Sequence, residues 1–189
     1  EAAIPAWEGE LIPVDYLVAE KIGQMRYEIE NLLKKGKPEV LKHLQTNYPI
    51  SKEVAEKLYK IIKEQKEFGF VPTNKKILIE YGPIGGVTKE ETFGVIIHTC
   101  FGSRINDTIG RILSTVLAEK IGSVGLKTDA YRIMIKLAQP VYNKVIDIFY
   151  NLDIENADKA IDLEIKNGEL FTHKFVQVAK RFGIIKRDA

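Results

Sequence analysis

The sequence predicts an α+β fold, and the order of its elements and its composition lead to this prediction. Segments with helical periodicity occur at both ends of the chain, while segments rich in β-branched residues lie between them. Helices that are segregated from strands in this way are typical of α+β proteins. With 189 residues, 45% hydrophobic and 29% charged, the chain is long enough for one domain with a buried core. We expect residues 1–189 to form a single domain, with a mainly antiparallel sheet of about four strands, a central helix and helices at both ends.

The N-terminal part is predicted to be helical after a short extended segment. Residues 1–14 contain two prolines and no helical period, so we expect them to be extended. Residues 15–69 show apolar residues at spacings of three and four, with residue types typical of helix caps and stops. The residues that mark the predicted helix boundaries are Asp15, Gly36, Pro38, Ser51 and Gly69. The apolar residues expected to face inward are Val18, Ile22, Met25, Ile29 and Leu32 in the first helix and Val54, Leu58, Ile61 and Ile62 in the third.

The sheet is predicted within residues 72–137, and further helices within residues 139–189. The segment at 93–101 has too few polar residues for a solvated face, so we expect an inner strand. The predicted strands are 76–81, 93–101, 123–128 and 131–137, with a loop at 82–92 and a central helix from 101–107 to Ile121. The predicted C-terminal helices end near Leu152, Asn167 and Phe182.

The chain lacks the common sequence motifs of enzymes. Neither GxxxxGK[ST] nor GxGxxG, GxSxG or HExxH occurs, and the three histidines lie too far apart for metal-ligand spacing. His98 and Cys100 fall two residues apart on a predicted strand, which would place a Cys–His pair on one face. Two such groups on an apolar strand are more often simply buried. We therefore expect no catalysis by this segment and no cofactor or metal site in it.

Composition also bears on location. No apolar run is long enough to span a bilayer, and residues 1–15 carry no basic residue of the kind that begins a secretory leader. A single cysteine fits a reducing compartment, so we expect a cytoplasmic protein with no membrane partner. The net charge of +2 does not by itself require a nucleic-acid partner, but residues 171–189 carry five basic residues against one acid.

The segment FGSRIND (101–107) is the most informative junction, because a strand is predicted to pass directly into a helix there. The N–H groups at a helix start favour an anion, and Arg104 would add a guanidinium suited to phosphate. The alternative is that Gly102 makes the turn, Ser103 or Asn106 caps the helix, and Arg104 pairs with a surface acid. The residues alone leave both interpretations open.

Two further features fit nucleic acid and also fit a purely structural role. Trp7 is the only tryptophan and lies outside any periodic face, where it would stack on an unpaired base or pin the extended segment to the core. The C-terminal helix carries Lys180 and Arg181 near Phe175 and Phe182. Basic residues interleaved with aromatics line single-strand grooves, but the helical spacing of the apolar residues favours a core position for the aromatics.

Taken together, several segments resemble the DEAD/H-associated region of the Lhr (large helicase-related) proteins. The segments that carry the resemblance are PAWEGELIPVDYLVAEKIGQMR (5–26), VIIHTCFGSRINDTIGRILS (95–114), DAYRI (129–133) and FVQVAKRFG (175–183). These proteins are superfamily 2 ATP-dependent DNA helicases of archaea and bacteria. The resemblance runs from near the first residue to near the last, and the WEGE and FGSRIN motifs and their order make it specific.

The resemblance implies a role within a larger helicase. The parent would contain two RecA-like motor domains, which bind ATP and Mg²⁺, and a winged-helix domain; this segment itself would hold no cofactor. It would contact single-stranded DNA during 3′–5′ translocation and unwinding in DNA repair, with RNA also compatible with stacking and phosphate contacts. In the family, the Trp of the WxGE motif stacks on DNA, and the FG-S-R-x-N junction would line the strand channel. The resulting nucleic-acid-binding candidates are Trp7, Ser103, Arg104, Asn106, Lys180 and Arg181.

Two rival interpretations remain. The segment would be a structural or protein-interaction domain that braces the motor without contacting DNA, or an independent enzyme that uses His98 and Cys100. Burial of Trp7 would favour the first rival, because a fully buried ring does not stack on a base. Packing of both His98 and Cys100 beneath a helix would exclude the second.

Overall fold

The computed structural model describes residues 12–84, 92–122, 124–167 and 169–186. Within them are seven α-helices, one short 3-10 helix and a four-stranded antiparallel sheet, which confirms the α+β class with helices at both ends. The helices are α1 (Tyr16–Leu32), a 3-10 turn (Leu33–Lys35), α2 (Lys37–Asn47), α3 (Lys52–Phe68), α4 (Ser103–Ile121), α5 (Tyr142–Tyr150), α6 (Ile154–Asn167) and α7 (Glu169–Arg181). The strands are β1 (Leu78–Ile84), β2 (Thr92–His98), β3 (Gly125–Thr128) and β4 (Arg132–Leu137).

The chain divides into two compact units. The first unit takes the chain up to Leu78 together with His98–Asn106 and Asp129–Arg132. The second takes Ile79–Ile97, Asp107–Thr128 and everything from Ile133 onward. The chain therefore returns twice to the first unit, and both returning segments are short. The single-domain organisation stays a prediction.

Three helices of the first unit begin and end where the cap residues predict. The Asp15 carboxylate accepts a hydrogen bond from the Leu17 N–H at 2.9 Å, and the Ser51 hydroxyl accepts one from the Val54 N–H at 3.3 Å. Gly36, with φ of 90°, separates α2 from the turn before it. These contacts satisfy backbone donors that a helix start leaves without partners. The core of this unit consists of Met25, Ile29, Val40, Leu44, Ala55, Ile62 and Val71.

Three residues expected to face inward are exposed instead, namely Val18, Val54 and Ile61. In α3 the buried residues are Ala55 and Ile62, which are seven apart and lie on one seam of the helix. Val54 and Ile61 each precede a buried residue by one position, about 100° away around the helix. The apolar stripe predicted from the sequence was therefore too wide.

The sheet has the strand order β1-β2-β4-β3, so β2 is an inner strand, as predicted. β3 and β4 form an antiparallel pair in which Thr128 lies opposite Ile133. β1 starts and ends later than the predicted 76–81, while β2 ends at His98 rather than at residue 101. The bridge between Thr73 and Lys76 explains the late start of β1, because it holds Lys76 in a tight turn before the strand.

The core of the second unit lies where β2, β4, α4 and α5 meet. Its fully buried members are Val95, Ile97, Leu113, Leu117, Ile133, Ile135, Leu137 and Val145. Leu113 and Leu117 are four apart on α4, and Ile133, Ile135 and Leu137 alternate along β4, as one-sided burial requires. α4 thus contributes to the centre of this core, as predicted for the central helix.

The apolar residues of α7 correct one expectation. Their helical spacing favoured the core, but Phe175, Val178 and Phe182 are exposed, and only Ala179 of that set is buried. Spacing defines a face of a helix without determining what covers it, and among the described residues the three large side chains of this face stay exposed. Among the described helices none is both long and apolar enough to cross a membrane.

Candidate nucleic-acid interface

The turn between β2 and α4 is formed by a glycine that no other residue would replace without strain. Gly102 has φ of 83°, which is unfavourable for residues with a side chain. A Cβ at this position would lie 2.8 Å from the Val14 carbonyl oxygen. The backbone of the junction and the segment before α1 therefore approach each other more closely than a side chain would allow.

Ser103 fixes this approach through two hydrogen bonds with one residue. The Val14 N–H donates to the Ser103 hydroxyl at 3.0 Å, and the Ser103 N–H donates to the Val14 carbonyl at 2.9 Å. The half-buried Ser103 thus joins the start of α4 to the segment just before α1. The hydrogen bonds described for Ser103 thus connect two segments of the chain, which a simple helix cap does not do. We call this pair of hydrogen bonds the Val14–Ser103 clasp.

Asn106 is fully buried and joins two other segments. Its amide oxygen accepts from the Thr99 hydroxyl at 2.8 Å, and its amide nitrogen donates to the Asp129 carbonyl at 2.8 Å. A buried polar side chain with these partners is a specific structural connection. Its burial leaves no surface for a direct contact with nucleic acid, so Asn106 holds the junction in place from below.

The segment from Asp129 to Arg132 is tied to the junction by its backbone. The Gly102 N–H donates to the Ala130 carbonyl at 3.1 Å, and the Thr99 N–H donates to the Tyr131 carbonyl at 2.8 Å. Within the segment, the Asp129 carboxylate accepts from the Tyr131 N–H at 2.8 Å and pairs with the Arg132 guanidinium at 2.7 Å. Burial raises the pKa of Asp129, but these hydrogen bonds outweigh it and hold the pKa below its usual value.

Arg104 follows this clasp directly and is exposed on the first turn of α4. It lines a cavity of about 240 Å³ with Tyr16, Phe101 and Ile105 and with the segment at 13–15. Tyr16 and Ile105 are 45% and 40% exposed, so aromatic and apolar surface borders the guanidinium. A cation next to an exposed ring at a helix start is suited to the backbone and bases of a single strand.

Lys180 and Arg181 belong to the second compact unit, in the last turn of α7. Arg181 is exposed and Lys180 is half-buried. Phe171 and Phe175 stack on the same helix with ring centroids 5.9 Å apart, and Phe175 is 57% exposed. The structure thus brings Ser103, Arg104 and Asn106 together in one unit and carries Lys180 and Arg181 in the other. Trp7 lies outside the described residues.

His98 and Cys100 do not lie on one strand, as strand periodicity suggested they would. β2 ends at His98, so Cys100 lies beyond the strand, and its thiol packs under α1. A Cβ on Gly23 of α1 would lie 2.7 Å from the Cys100 Sγ. Burial raises the pKa of Cys100, which disfavours the reactive thiolate. Within the described part of the chain, no group of three or more His, Cys, Asp or Glu is arranged to hold a metal ion.

The sequence predicts a turn at Asp129, between the strands at 123–128 and 131–137, but no part in the junction for Thr99, Asp129 or Val14, although each holds the junction. Asp129 has a detectable signal, because an Asp that accepts from the backbone two residues on is typical of turns. The DAYRI segment that begins with it also carries part of the family resemblance. Val14 and Thr99 also lie in segments that carry the resemblance, 5–26 and 95–114, but their residue types add no signal, since apolar and hydroxyl residues are common beside strands and helices of every kind.

Comparisons with known proteins place this fold in a family. Residues 71–189, well over half of the chain, match the model of the family described as DEAD/H associated. The chain belongs to that family. Among curated proteins it is similar to the ATP-dependent helicase Lhr-Core of Saccharolobus solfataricus, with 27% identity over 97% of this chain and 22% of the relative. It is also similar to ATP-dependent helicase Lhr-Core protein 2 of Thermococcus barophilus, with 25% identity over 97% of this chain and 21% of the relative.

A solved structure shares the fold. The helicase Lhr of Mycobacterium smegmatis, solved bound to ssDNA and AMP-PNP, matches with a TM-score of 0.72 and 19% identity, over 96% of this chain and 22% of that one. The chain therefore spans about a fifth of the length of the relatives it matches. The resemblance to the DEAD/H-associated region of Lhr helicases is confirmed.

Proposed function

We propose that this chain is the single-strand-contacting accessory region of an Lhr-type ATP-dependent DNA helicase. In that role it guides one DNA strand during 3′–5′ translocation and unwinding in DNA repair. The observation that carries the proposal is the match of nearly the whole chain to part of a helicase Lhr that was solved with ssDNA. ATP and Mg²⁺ would be bound by motor domains, and these and a winged-helix domain would be partners within the same protein.

The site supplies a mechanism that needs no catalysis by the chain itself. The Val14–Ser103 clasp and the Asn106 connection fix the start of α4, and Arg104 projects from it as an exposed cation. A guanidinium contacts phosphate without reading bases, so such a contact tolerates any sequence. In this proposal Trp7 adds a ring that stacks on a base, and Lys180 and Arg181 add phosphate contacts beside exposed aromatic rings.

A fixed cation and stacking ring would serve a motor that pulls one strand. The strand passes over a surface that does not move with it, while the duplex is too wide for the same path. The energy comes from ATP hydrolysis in the motor, and this region supplies position alone. The proposal therefore expects sequence-independent binding with strong salt dependence.

The test is binding of a fluorescently labelled single-stranded oligonucleotide to Arg104→Ala, measured by anisotropy at several salt concentrations. We expect a roughly 5–10-fold weaker affinity for every sequence and a salt slope lower by about 0.7, the value for one lost phosphate contact on a single strand. Lys60→Ala is the matched control, because it removes one exposed positive charge from α3 of the same unit. Equal losses in the two variants, or a change in sequence preference, would contradict the phosphate assignment.

Trp7 provides a second and independent measurement. Because it is the only tryptophan, its fluorescence reports one position. Saturable quenching by single-stranded DNA, lost when the strand is displaced by salt, would support base stacking. Emission typical of a buried indole, unchanged by DNA, would favour the structural alternative.

That alternative, a region that braces the motor without contacting DNA, has one observation in its favour. Phe175, Val178 and Phe182 form an exposed apolar face on α7, and such faces often mark protein contacts. It predicts that Arg104→Ala binds single strands as the unchanged chain does. The anisotropy measurement therefore separates the two functions.

A further inference from the structure

A second cavity in the first unit has a chemistry distinct from the Arg104 surface. It measures about 300 Å³ and is lined on one side by Arg26, His98, Tyr131 and Arg132 and on the other by α3 and the segment after it. That opposite wall is apolar, with Ile61, Ile62, Val71 and Pro72, and carries the amide of Gln65. All lining residues belong to the first unit.

The charge in this cavity is positive. Its carboxylate, Asp129, is paired with Arg132 at 2.7 Å and also accepts the Tyr131 N–H, so one guanidinium and one carboxylate balance each other. Arg26 adds a further cation. Its described contacts are with the Tyr131 ring, 5.1 Å from the ring centroid, and with the Cys100 thiol.

Arg26 is held in position by these contacts. A guanidinium has five N–H donors, so the contact with the Cys100 thiol leaves others for a ligand, and it is less costly to desolvate than an ammonium. Arg26 is half-buried, so its charge is less screened than that of a fully exposed side chain. The combination is typical of sites that bind a planar or tetrahedral anion.

The opposite wall indicates that the ligand also has a flat apolar part. A site for inorganic phosphate alone needs no apolar wall, whereas a nucleotide presents a phosphate at one end and a base at the other. The Gln65 amide nitrogen donates to the Phe70 carbonyl at 3.2 Å, and its second N–H and its amide oxygen are the donor and acceptor for the edge of a base. The volume lies at the lower end of the range for small-molecule sites, roughly 300–1,000 Å³, and suits one nucleotide rather than several.

We propose that this cavity, here called the Arg26 pocket (Arg26, Ile61, Gln65, Pro72, Tyr131 and Arg132), binds one 5′-phosphorylated nucleoside, with the phosphate on Arg26 and the base against Ile61 and Pro72. The choice of a nucleotide rests on the proposed function. The segment 129–132 lines the pocket and also holds the Arg104 junction, so a nucleotide of the guided strand is one source. A free nucleotide is the other.

The test uses a charge placed at the mouth of the pocket. Ile61 is 58% exposed, so both Ile61→Glu and Ile61→Gln leave the core intact. Ile61→Glu brings a carboxylate towards the phosphate, while Ile61→Gln changes shape and polarity without charge. Val54→Glu is the matched control, because it puts the same charge on the same helix two turns away, at a position outside the pocket.

Binding is measured by calorimetry with dAMP, deoxyadenosine and inorganic phosphate, and by anisotropy with a single-stranded oligonucleotide. We expect dAMP to bind more tightly than either of its parts. Ile61→Glu should weaken it at least 10-fold, Ile61→Gln less than Ile61→Glu because it removes the apolar contact without adding a charge, and Val54→Glu less than 2-fold. Arg26→Lys should also weaken dAMP binding, because an ammonium keeps the charge but loses the planar fork.

These measurements distinguish a free nucleotide from a nucleotide of the guided strand, and they test this inference separately from the proposed function. If dAMP binds and the oligonucleotide is insensitive to Ile61→Glu, the ligand is a free nucleotide. If the oligonucleotide is weakened by Ile61→Glu more than by Val54→Glu, the pocket holds a nucleotide of the strand. If neither probe responds to Ile61→Glu beyond the Val54→Glu control, the pocket proposal is overturned, while the Arg104→Ala result still decides the proposed function.

Discussion

Replacing Asn106 by Ala removes the buried connection beneath the Arg104 junction. Asn106 is 0% exposed and makes hydrogen bonds of 2.8 Å to the Thr99 hydroxyl and to the Asp129 carbonyl. In Asn106→Ala the Asp129 carbonyl loses its amide donor, and the Thr99 hydroxyl loses its acceptor. Leaving one buried polar group without a partner costs about 1–3 kcal/mol, and the small cavity adds about 1 kcal/mol.

The Thr99 hydroxyl rotates to find another acceptor more easily than a carbonyl finds a donor, so we count the full cost for one group only. The expected loss in the free energy of unfolding is therefore about 3 kcal/mol, or a fall in Tm of roughly 6–12 °C for a chain of this length. Urea unfolding followed by circular dichroism measures it. The midpoint should fall while the m-value stays unchanged.

Thr99→Val is the matched variant, because it removes the hydroxyl at nearly constant volume. It should cost about 1–2 kcal/mol, since the Asn106 amide oxygen then lacks its donor. In the double variant the Thr99 change should cost almost nothing further, which gives a coupling energy of about 1–2 kcal/mol. A loss below about 1 kcal/mol for Asn106→Ala, or strict additivity in the double variant, would refute the connection as described.

Two more predictions concern buried groups in the first unit. Burial raises the pKa of Glu30, but hydrogen bonds from Lys66 and Lys76, at 2.8 and 2.6 Å, outweigh it and lower the pKa. Glu30 therefore stabilises the fold above its unfolded pKa and loses this effect as pH falls through its folded pKa. Glu30→Gln should lower the free energy of unfolding by about 2 kcal/mol at pH 7, and by progressively less as the pH falls below about 4.5. Urea unfolding at several pH values measures this, and a loss that does not change with pH would contradict it. The Cys100 thiol is buried and has a raised pKa, so it should react with a thiol reagent only as fast as the fold opens. The reaction rate should therefore rise with urea concentration. Fast reaction in native buffer would contradict the packing of Cys100 under α1.

The boundaries of the N-terminal helices were predictable because local chemistry fixes them. Asp15 and Ser51 accept hydrogen bonds from N–H groups within three residues along the chain, so one short stretch of sequence holds both partners of each contact. Which apolar residues are buried was less predictable. Ile61 and Ile62 are adjacent and chemically identical, yet only Ile62 is buried, because tertiary packing decides which face of α3 turns inward.

The sequence predicted where the candidate site lies, but not which distant residues hold it together. FGSRIND was recognised as a strand-to-helix junction, and α4 does begin at Ser103. The partners of the junction, Val14 and Asp129, lie 89 and 23 residues from Ser103 and Asn106, and local patterns carry no information on such pairs. The prediction that Cys100 shares a strand face with His98 failed for a related reason. Alternation places two residues on one face only while the strand continues, and β2 ends at His98.

The residues of the FGSRIND motif have two different roles that the sequence alone does not distinguish: some build the junction, and one is exposed on it. Gly102, Ser103 and Asn106 make close approaches and internal hydrogen bonds, while Arg104 is exposed. A change at Asn106 should therefore lower stability and weaken DNA binding together, because it releases the surface that carries Arg104. A change at the exposed Arg104 should weaken DNA binding with a loss of stability below about 1 kcal/mol, because interactions of exposed charged side chains contribute little. If both variants lost stability and binding in the same proportion, Arg104 would belong to the packing of the junction, and the contact with the strand would have to be sought elsewhere in the chain.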